Sequence, residues 1–463
     1  MQAFTIADLL TYRKCPKAMY LQRKSGAAPA LDRVPLCLDA AYALRSLASV
    51  PAEEFYIGRK ARKNNAVAYA DLLVRRADGW ELLMDTNSLH LRETLVWEAS
   101  FIMHVFAQIG LPIRKVTALL ISPDYVRAGA TDWKELYIEQ DITERAQTHV
   151  NAVKNLLAQM KATEMDMSAP ERELFESCLK PRECPYWKVC SARLPKPNVF
   201  SIVGMSNRRK FQLYRKGVIR FEECLKYAKL PKPQKMQVRC ELENSPPLIN
   251  APALQKFLGN IWYPVRFLDF ESYQPAIPPF AGMKPFTQCA FLYSVHGMDK
   301  KRGPVTHSGV FVPHGTDPRR QIAEGLCRDI PRNACVVVYS SGLEKSVVVS
   351  LAQLFPDLKE HLMKIAANMR DMLGPFRDRM YYDRRMEGSC SLKHVLPAID
   401  ETLSYEALEG VQNGEDAMHA YEKTGSMPKK QRAETERSLQ EYCAMDTLSL
   451  VRILQKLEAV VQG

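Results

Sequence analysis

The chain has 463 residues, 46% of them hydrophobic and 25% charged, with a formal net charge of +12 and a sequence pI near 9.0. It is too long for one core, long enough for two or three domains, and its composition excludes a disordered or low-complexity protein. No apolar run approaches the roughly 20 residues of a membrane span, and the N-terminus lacks the basic-then-apolar layout of a signal peptide, so a cytoplasmic protein is expected.

The basic surplus makes a polyanion such as nucleic acid a reasonable partner, and an ordinary solvated surface explains it equally well. Twelve cysteines in a reducing compartment favour metal or cluster ligation over disulfides wherever they gather. Near the N-terminus, residues 9–21 read as one amphipathic helix that Asp8 caps and that carries Cys15. Residues 69–76 and 80–88, joined by the turn at Ala77-Asp78-Gly79, read as a hairpin with Asp71 on one strand and Asp85 and Asn87 on the next. Further on, Cys178, Cys184 and Cys190 form the one tight cysteine group, within prolines and aromatics that shape a loop. Three soft ligands need a fourth to close a zinc site or an iron-sulfur cluster, and Cys15 is the best candidate. A small buried hydrophobe at Cys15, with zinc or nothing at the other three, is the plainer alternative.

One cysteine near the N-terminus and three near the end of a module resembles the CRISPR-associated iron-sulfur exonucleases and the nuclease domains of bacterial recombination helicase-nucleases. That resemblance implies a restriction-endonuclease-like, PD-(D/E)XK domain over residues 1–195, stapled by a 4Fe-4S cluster on Cys15, Cys178, Cys184 and Cys190. It also implies an active site made of an aspartate, then an acid-x-lysine on the next strand. Asp71 and Asp85 stand in that order, but Asn87 takes the place of the lysine, and an amide neither carries positive charge nor helps to generate hydroxide. Ile102 likewise stands where a polar glutamine belongs. The module therefore reads as a degenerate nuclease that holds nucleic acid or the partner domain, with weak activity through Asp71 and Asp85 as the alternative.

Residues 192–198 are a proline-rich break, and 196–258 read as a basic helical linker. Within it, the run at 205–220 either contacts phosphates or forms a solvated helix face. The C-terminal domain, 259–463, opens on a strand whose period of two places Asp269 and Glu271 on one face. Two like charges repel there, and a divalent cation would offset them. Strands follow over 287–296, 309–312 and 334–339, then a helix through 354 carrying Glu344, and finally a helix with Tyr442 and Asp446 four apart on one face. Strands followed by helices, with acids at the strand ends, describe an α/β sheet of ribonuclease H-like type.

The order Asp-x-Glu, Glu, Tyr-x3-Asp resembles the DEDD exonucleases in their tyrosine-bearing subtype (DEDDy). By that resemblance Asp269, Glu271, Glu344 and Asp446 hold two Mg²⁺ or Mn²⁺ ions about 4 Å apart, and Tyr442 orients or deprotonates water. The implied activity is 3′-to-5′ hydrolysis of single-stranded nucleic acid. Ser340 and Leu343 depart from the family's asparagine and phenylalanine, and Glu344 from its aspartate. More closely, residues 267–278, 317–319, 388–397 and 442–447, with Val338, Tyr339, Leu343 and Glu344, are similar to a bacterial domain-of-unknown-function family. In it an iron-sulfur module precedes an exonuclease-like one.

Asp371 follows a helical pattern at 358–370 and reads as a helix-end surface acid, with a supporting role at the site as the alternative. Lys393 and Ser391 either sit near a phosphate or mark a capped helix start. Tyr273, Phe286 and Tyr381 would suit a channel in which bases stack, or else the core. His296, His307 and His314 show no ligand spacing. The rival reading of the whole chain is a nucleic-acid-binding or assembly protein in which both nuclease sites have decayed.

Overall fold

The computed structural model describes residues 2–26, 54–166, 168–403, 405, 411 and 413–462. The chain is mixed α/β and divides into two compact units, Met1–Arg193 with Pro275–Thr287, and Leu194–Gln274 with Gln288–Gly463. Among the described residues no helix is long and apolar enough to cross a membrane.

The first unit begins with helices α1 (Ile6–Lys14) and α2 (Pro16–Ser25) in place of one continuous helix. Pro16 explains the break: it disfavours helical backbone at Cys15, which is extended at φ −161°, and it suits the first position of a new helix. Thr5 rather than Asp8 is the N-cap. Asp8 sits three residues later, where its carboxylate accepts from Thr5 N at 2.8 Å while Thr5 Oγ1 accepts from Asp8 N at 3.2 Å. A five-stranded sheet follows in the order β1 (Phe55–Lys63), β2 (Ala66–Arg76), β3 (Gly79–Asp85), β4 (Ile113–Ile121), β5 (Tyr137–Asp141). Only β3 and β4 run parallel, as the intervening crossover through α3 (Glu93–Ala107) allows.

One apolar cluster joins α1, α3 and α4 (Thr143–Met165) to the sheet through Leu9, Phe101, Phe106 and Val153. A second gathers Leu72, Leu119, Tyr125 and Tyr137 with Ala276, Ile277 and Phe286. That cluster explains why Pro275–Thr287, which the sequence places inside the C-terminal domain, belongs to this unit. Arg127 fixes the segment further, donating from Nη1 to Pro278 O at 2.7 Å and from N to Met283 O at 3.0 Å.

In the second unit, α5 (Asn207–Arg215), α6 (Phe221–Tyr227) and α7 (Lys232–Leu242) enclose their own apolar cluster, with Phe221, Cys224 and Val238 buried. Strand β6 (Leu248–Ile249) and α8 (Ala251–Leu258) lead into the main sheet, ordered β11-β10-β7-β8-β9. Its centre is β7 (Val265–Tyr273), antiparallel to β8 (Cys289–Met298) and parallel to β10 (Cys335–Val338). The edges are β9 (Thr306–Phe311) and β11 (Met369–Asp371). Helix α9 (Arg319–Asp329) follows β9, and α10 (Gly342–Leu354) and α11 (Lys359–Ala367) follow β10 one after the other. After β12 (Tyr381–Tyr382), which pairs with β6, come α12 (Leu392–Ile399), α13 (Gly414–Thr424) and the long α14 (Lys429–Gln462).

Alternation along β7 sends Leu268 and Phe270 into the cluster that holds α9, α10 and α11. Val265 and Phe267 join the opposite cluster, with Leu450, Ile453 and Leu454 of α14. Asp269 and Glu271 continue that second row, so the acids point to the α14 face.

Candidate active site

At the end of the α14 face the apolar row of β7 gives way to carboxylates, and a register shift between Glu271 and Ser272 bends the strand just beyond them. Ligand atoms of Asp269, Glu271 and Cys443 lie within 4.8 Å of one another. Cys443 comes from α14, is fully buried, and its Sγ stands 3.5 Å from Asp269 Oδ2 as a donor. Tyr442 and Asp446 flank it on the same helix. Burial, followed by the charges of Asp446, Glu271 and Glu344, raises Asp269 well above the ordinary carboxylate range. Burial and Asp446 push Glu271 up to about 8. Asp446 rises to about 6 by burial, with Tyr405, Lys393 and Tyr442 acting against the rise.

Glu344 stands in the first turn of α10, 4% exposed, and burial pushes it up to about 7. Its Oε2 is buried with no hydrogen-bond partner. The turn before it is held by Asp371, which lies at the end of β11 and not at a helix end, because α11 stops at Ala367 and the chain then pairs with β10. Asp371 Oδ1 accepts from Ser340 N at 2.9 Å and Leu373 N at 3.0 Å, and Oδ2 from Ser341 N at 3.3 Å. Ser340 needs that support, since its φ of +67° is the left-handed region that a serine rarely adopts.

The structure thus brings together Asp269, Glu271, Glu344, Tyr442 and Asp446, with Lys393 near them, and adds Tyr405 and Thr447, which sequence reasoning missed. The Tyr405 hydroxyl donates to Asp446 Oδ1, and its ring lies 6.1 Å from that of Tyr442. Lys393 Nζ is 5.8 Å from the Tyr405 ring. Behind the site, Thr447 meets Ser294 at 2.8 Å and His296 Nδ1 at 2.7 Å, and His296 stacks on His307 at 4.4 Å. No periodicity in the sequence signals these partners, which lie 41 and more than 150 residues apart.

Other expected residues fall elsewhere. Tyr273 is buried among Phe291 and Tyr421, and Tyr381 against Phe376, so neither offers a face for stacking. Phe286 packs in the first unit's second apolar cluster. Ser391 precedes α12 but does not cap it, and its hydroxyl meets His394 Nδ1 at 2.9 Å. In the run at 205–220, Lys210 turns inward and donates to Phe200 O at 2.8 Å.

In the first unit Asp71 and Asp85 are adjacent: Asp85 N donates to Asp71 Oδ2 at 3.2 Å. Asn87 N turns back to Asp85 Oδ1 at 3.1 Å, with a left-handed φ of 41°. Glu81, the other buried acid of β3, is answered by Arg76 at 2.8 Å, Lys115 at 2.8 Å and Thr117 at 2.9 Å, a satisfied structural cluster. The four cysteines Cys15, Cys178, Cys184 and Cys190 converge. Burial raises the Cys178 thiol first, and the charges of the other three raise it further.

The two donor sets differ in chemical type. Asp269 and Glu271, gathered with Cys443, and Glu344, with a buried oxygen still lacking a partner, are hard oxygen donors of the kind that divalent cations take. The thiols of Cys15, Cys178, Cys184 and Cys190, within electrostatic reach of one another, are soft donors of the type that zinc or an iron-sulfur cluster takes.

Residues 266–391 match a domain of unknown function (DUF2779). The match takes in Asp269, Glu271, Glu344 and Asp371, and leaves out α14 and most of the first unit. No curated protein matches the chain.

Proposed function

We propose that the second unit is a ribonuclease H-like, DEDDy-type 3′-to-5′ exonuclease that hydrolyses single-stranded nucleic acid. The observation that carries this reading is the gathering of Asp269, Glu271, Glu344 and Asp446 from three elements within electrostatic reach of one another, with Glu344 Oε2 left without a partner. Proteins do not leave a buried carboxylate oxygen unsatisfied without cost, and a cation answers that oxygen and the mutual repulsion together.

Two divalent cations bound there would activate water and stabilise the leaving oxygen. The chain's own residues then have distinct tasks. Asp269, Glu271, Glu344 and Asp446 offer carboxylate oxygens, and Asp371 keeps the Glu344 turn in place. Burial and the surrounding acids raise the Tyr442 phenol far above its ordinary value, so it keeps its proton. It therefore suits orienting water by a hydrogen bond better than deprotonating it. The 3′-to-5′ direction rests on the family resemblance.

In the first unit we read a restriction-endonuclease-like module that is not catalytic, stapled by a 4Fe-4S cluster on Cys15, Cys178, Cys184 and Cys190. Asp71 and Asp85 accept from neighbouring backbone N–H groups, and Asn87 supplies no cation. Asn87, together with Ser340 in the second site, is also what favours the rival reading of a decayed binding protein.

The deciding experiment is degradation of 5′-labelled single-stranded DNA and RNA with Mn²⁺ or Mg²⁺, comparing the intact protein with an Asp269→Ala, Glu271→Ala variant. A ladder that shortens from the 3′ end and vanishes in the variant is expected. An intact protein that shifts the strand on a gel but never cuts it leaves only the binding reading.

A further inference from the structure

The β1–β2 hairpin concentrates positive charge. Residues 55–76 carry six cations (Arg59, Lys60, Arg62, Lys63, Arg75, Arg76) against one acid, Asp71, a net +5 of the chain's +12. Arg76 is paired with Glu81 at 2.8 Å and Arg75 with Glu54 at 3.6 Å. The remaining four are exposed and make no ion pair among the described residues. They lie on β1, among the described residues the edge strand of its sheet, where both rows of side chains flank that margin over about 13 Å.

Tyr69 stands opposite Lys60 in the β1–β2 register and is 50% exposed, with Lys60 Nζ 5.5 Å from its ring. Exposed aromatic surface beside unpaired cations suits a single strand, whose phosphates meet the cations and whose bases stack on the ring. Charge on a sheet edge also guards against edge pairing, but that duty asks for no exposed tyrosine.

We propose that this hairpin binds single-stranded nucleic acid, with Arg59, Lys60, Arg62 and Lys63 on the phosphates and Tyr69 under a base. The inference rests on the reading of the protein as one that handles single strands. Its test needs no cleavage, so the two stand or fall separately.

The measurement is fluorescence anisotropy of a labelled single-stranded oligonucleotide with the full chain in EDTA, between about 50 and 200 mM salt. Each phosphate contact on a single strand contributes about 0.7 to the slope of log affinity against log salt, so Arg59→Ala, Lys60→Ala, Arg62→Ala, Lys63→Ala in one chain should flatten that slope by about 2.8. Tyr69→Ala should weaken binding roughly 5- to 150-fold and leave the slope unchanged. Arg59→Lys with Arg62→Lys should keep the slope. An unaltered slope and affinity in the fourfold variant would overturn the proposal, as would binding to anionic lipid vesicles with none to the strand. Intact protein that cuts with Mn²⁺ yet binds no strand in EDTA overturns this surface and spares the exonuclease. Salt-sensitive binding lost in the variant, with no cutting by any protein, does the reverse.

Discussion

In cation-free protein, raising the pH from about 6.5 to about 8.5 should destabilise the second unit, and Mn²⁺ should restore it. Glu271 is pushed up to about 8 and Glu344 to about 7, against ordinary values of 4.5. Over this range the folded chain keeps protons that the unfolded chain has released, so stability falls as pH rises. Asp269, raised well above its ordinary range, acts in the same direction. Buried His296, pushed down to about 4 from its ordinary 6.5, gives the opposite slope mostly below the window and offsets only about 0.4 kcal/mol within it. Stopping near 8.5 also stays below the ordinary cysteine value of 9.0.

Integrated over that window, Glu271 accounts for a loss of about 2 kcal/mol and Glu344 for about 0.8 kcal/mol. In a unit of this size the sum lowers the melting temperature by about 5 to 10 °C. Differential scanning calorimetry in EDTA reads the effect, and Glu271→Gln, which removes the larger share, identifies the transition that belongs to this unit. Mn²⁺ at about 100 times its Kd returns about 2.7 kcal/mol, more at the upper pH than at the lower, because protons compete with the cation. A melting temperature that stays flat in EDTA across the window, or a Mn²⁺ shift of equal size at both ends, would refute the reasoning.

Asp371→Ala leaves three backbone N–H groups without an acceptor and frees the strained turn before Glu344. A roughly 100-fold lower kcat with strand affinity unchanged is expected, and an unchanged kcat would remove its positioning role. Anaerobically purified protein should be brown with about four irons per chain, and Cys184→Ala should lose colour and iron together. One zinc in a colourless protein would reverse the assignment. Thr447→Val deprives buried Ser294 and His296 of their shared partner and should cost about 1–3 kcal/mol in urea unfolding, whereas Thr447→Ser should not.

What could be read from the sequence is what depends on neighbours along the chain. Strand alternation is enough to put Asp269 and Glu271 on one face, and helical spacing is enough to join Tyr442 to Asp446. Asp371 escapes such reading because β11 is three residues long and exists only through its pairing with β10, which no local pattern announces. Tyr405 escapes for the same reason, its partner Asp446 being 41 residues away. Cys15 is a different failure: Pro16 marks the helix break plainly, and amphipathicity over residues 9–21 masks it. Tyr273 and Tyr381 show that an aromatic residue in a basic domain carries no label for stacking or core, and burial alone decides. Charge is misread in the same way. The run at 205–220 draws the eye, yet Lys210 of that run is turned to Phe200 O, while the unpaired cations of β1 are interrupted by Ala61 and alternate across an edge strand. A helix displays its charges as a run whether or not anything uses them, but on an edge strand four cations with no ion-pair partner among the described residues are left facing solvent. The count of unanswered charges, not the length of the run, therefore points to the surface where a polyanion would gain most.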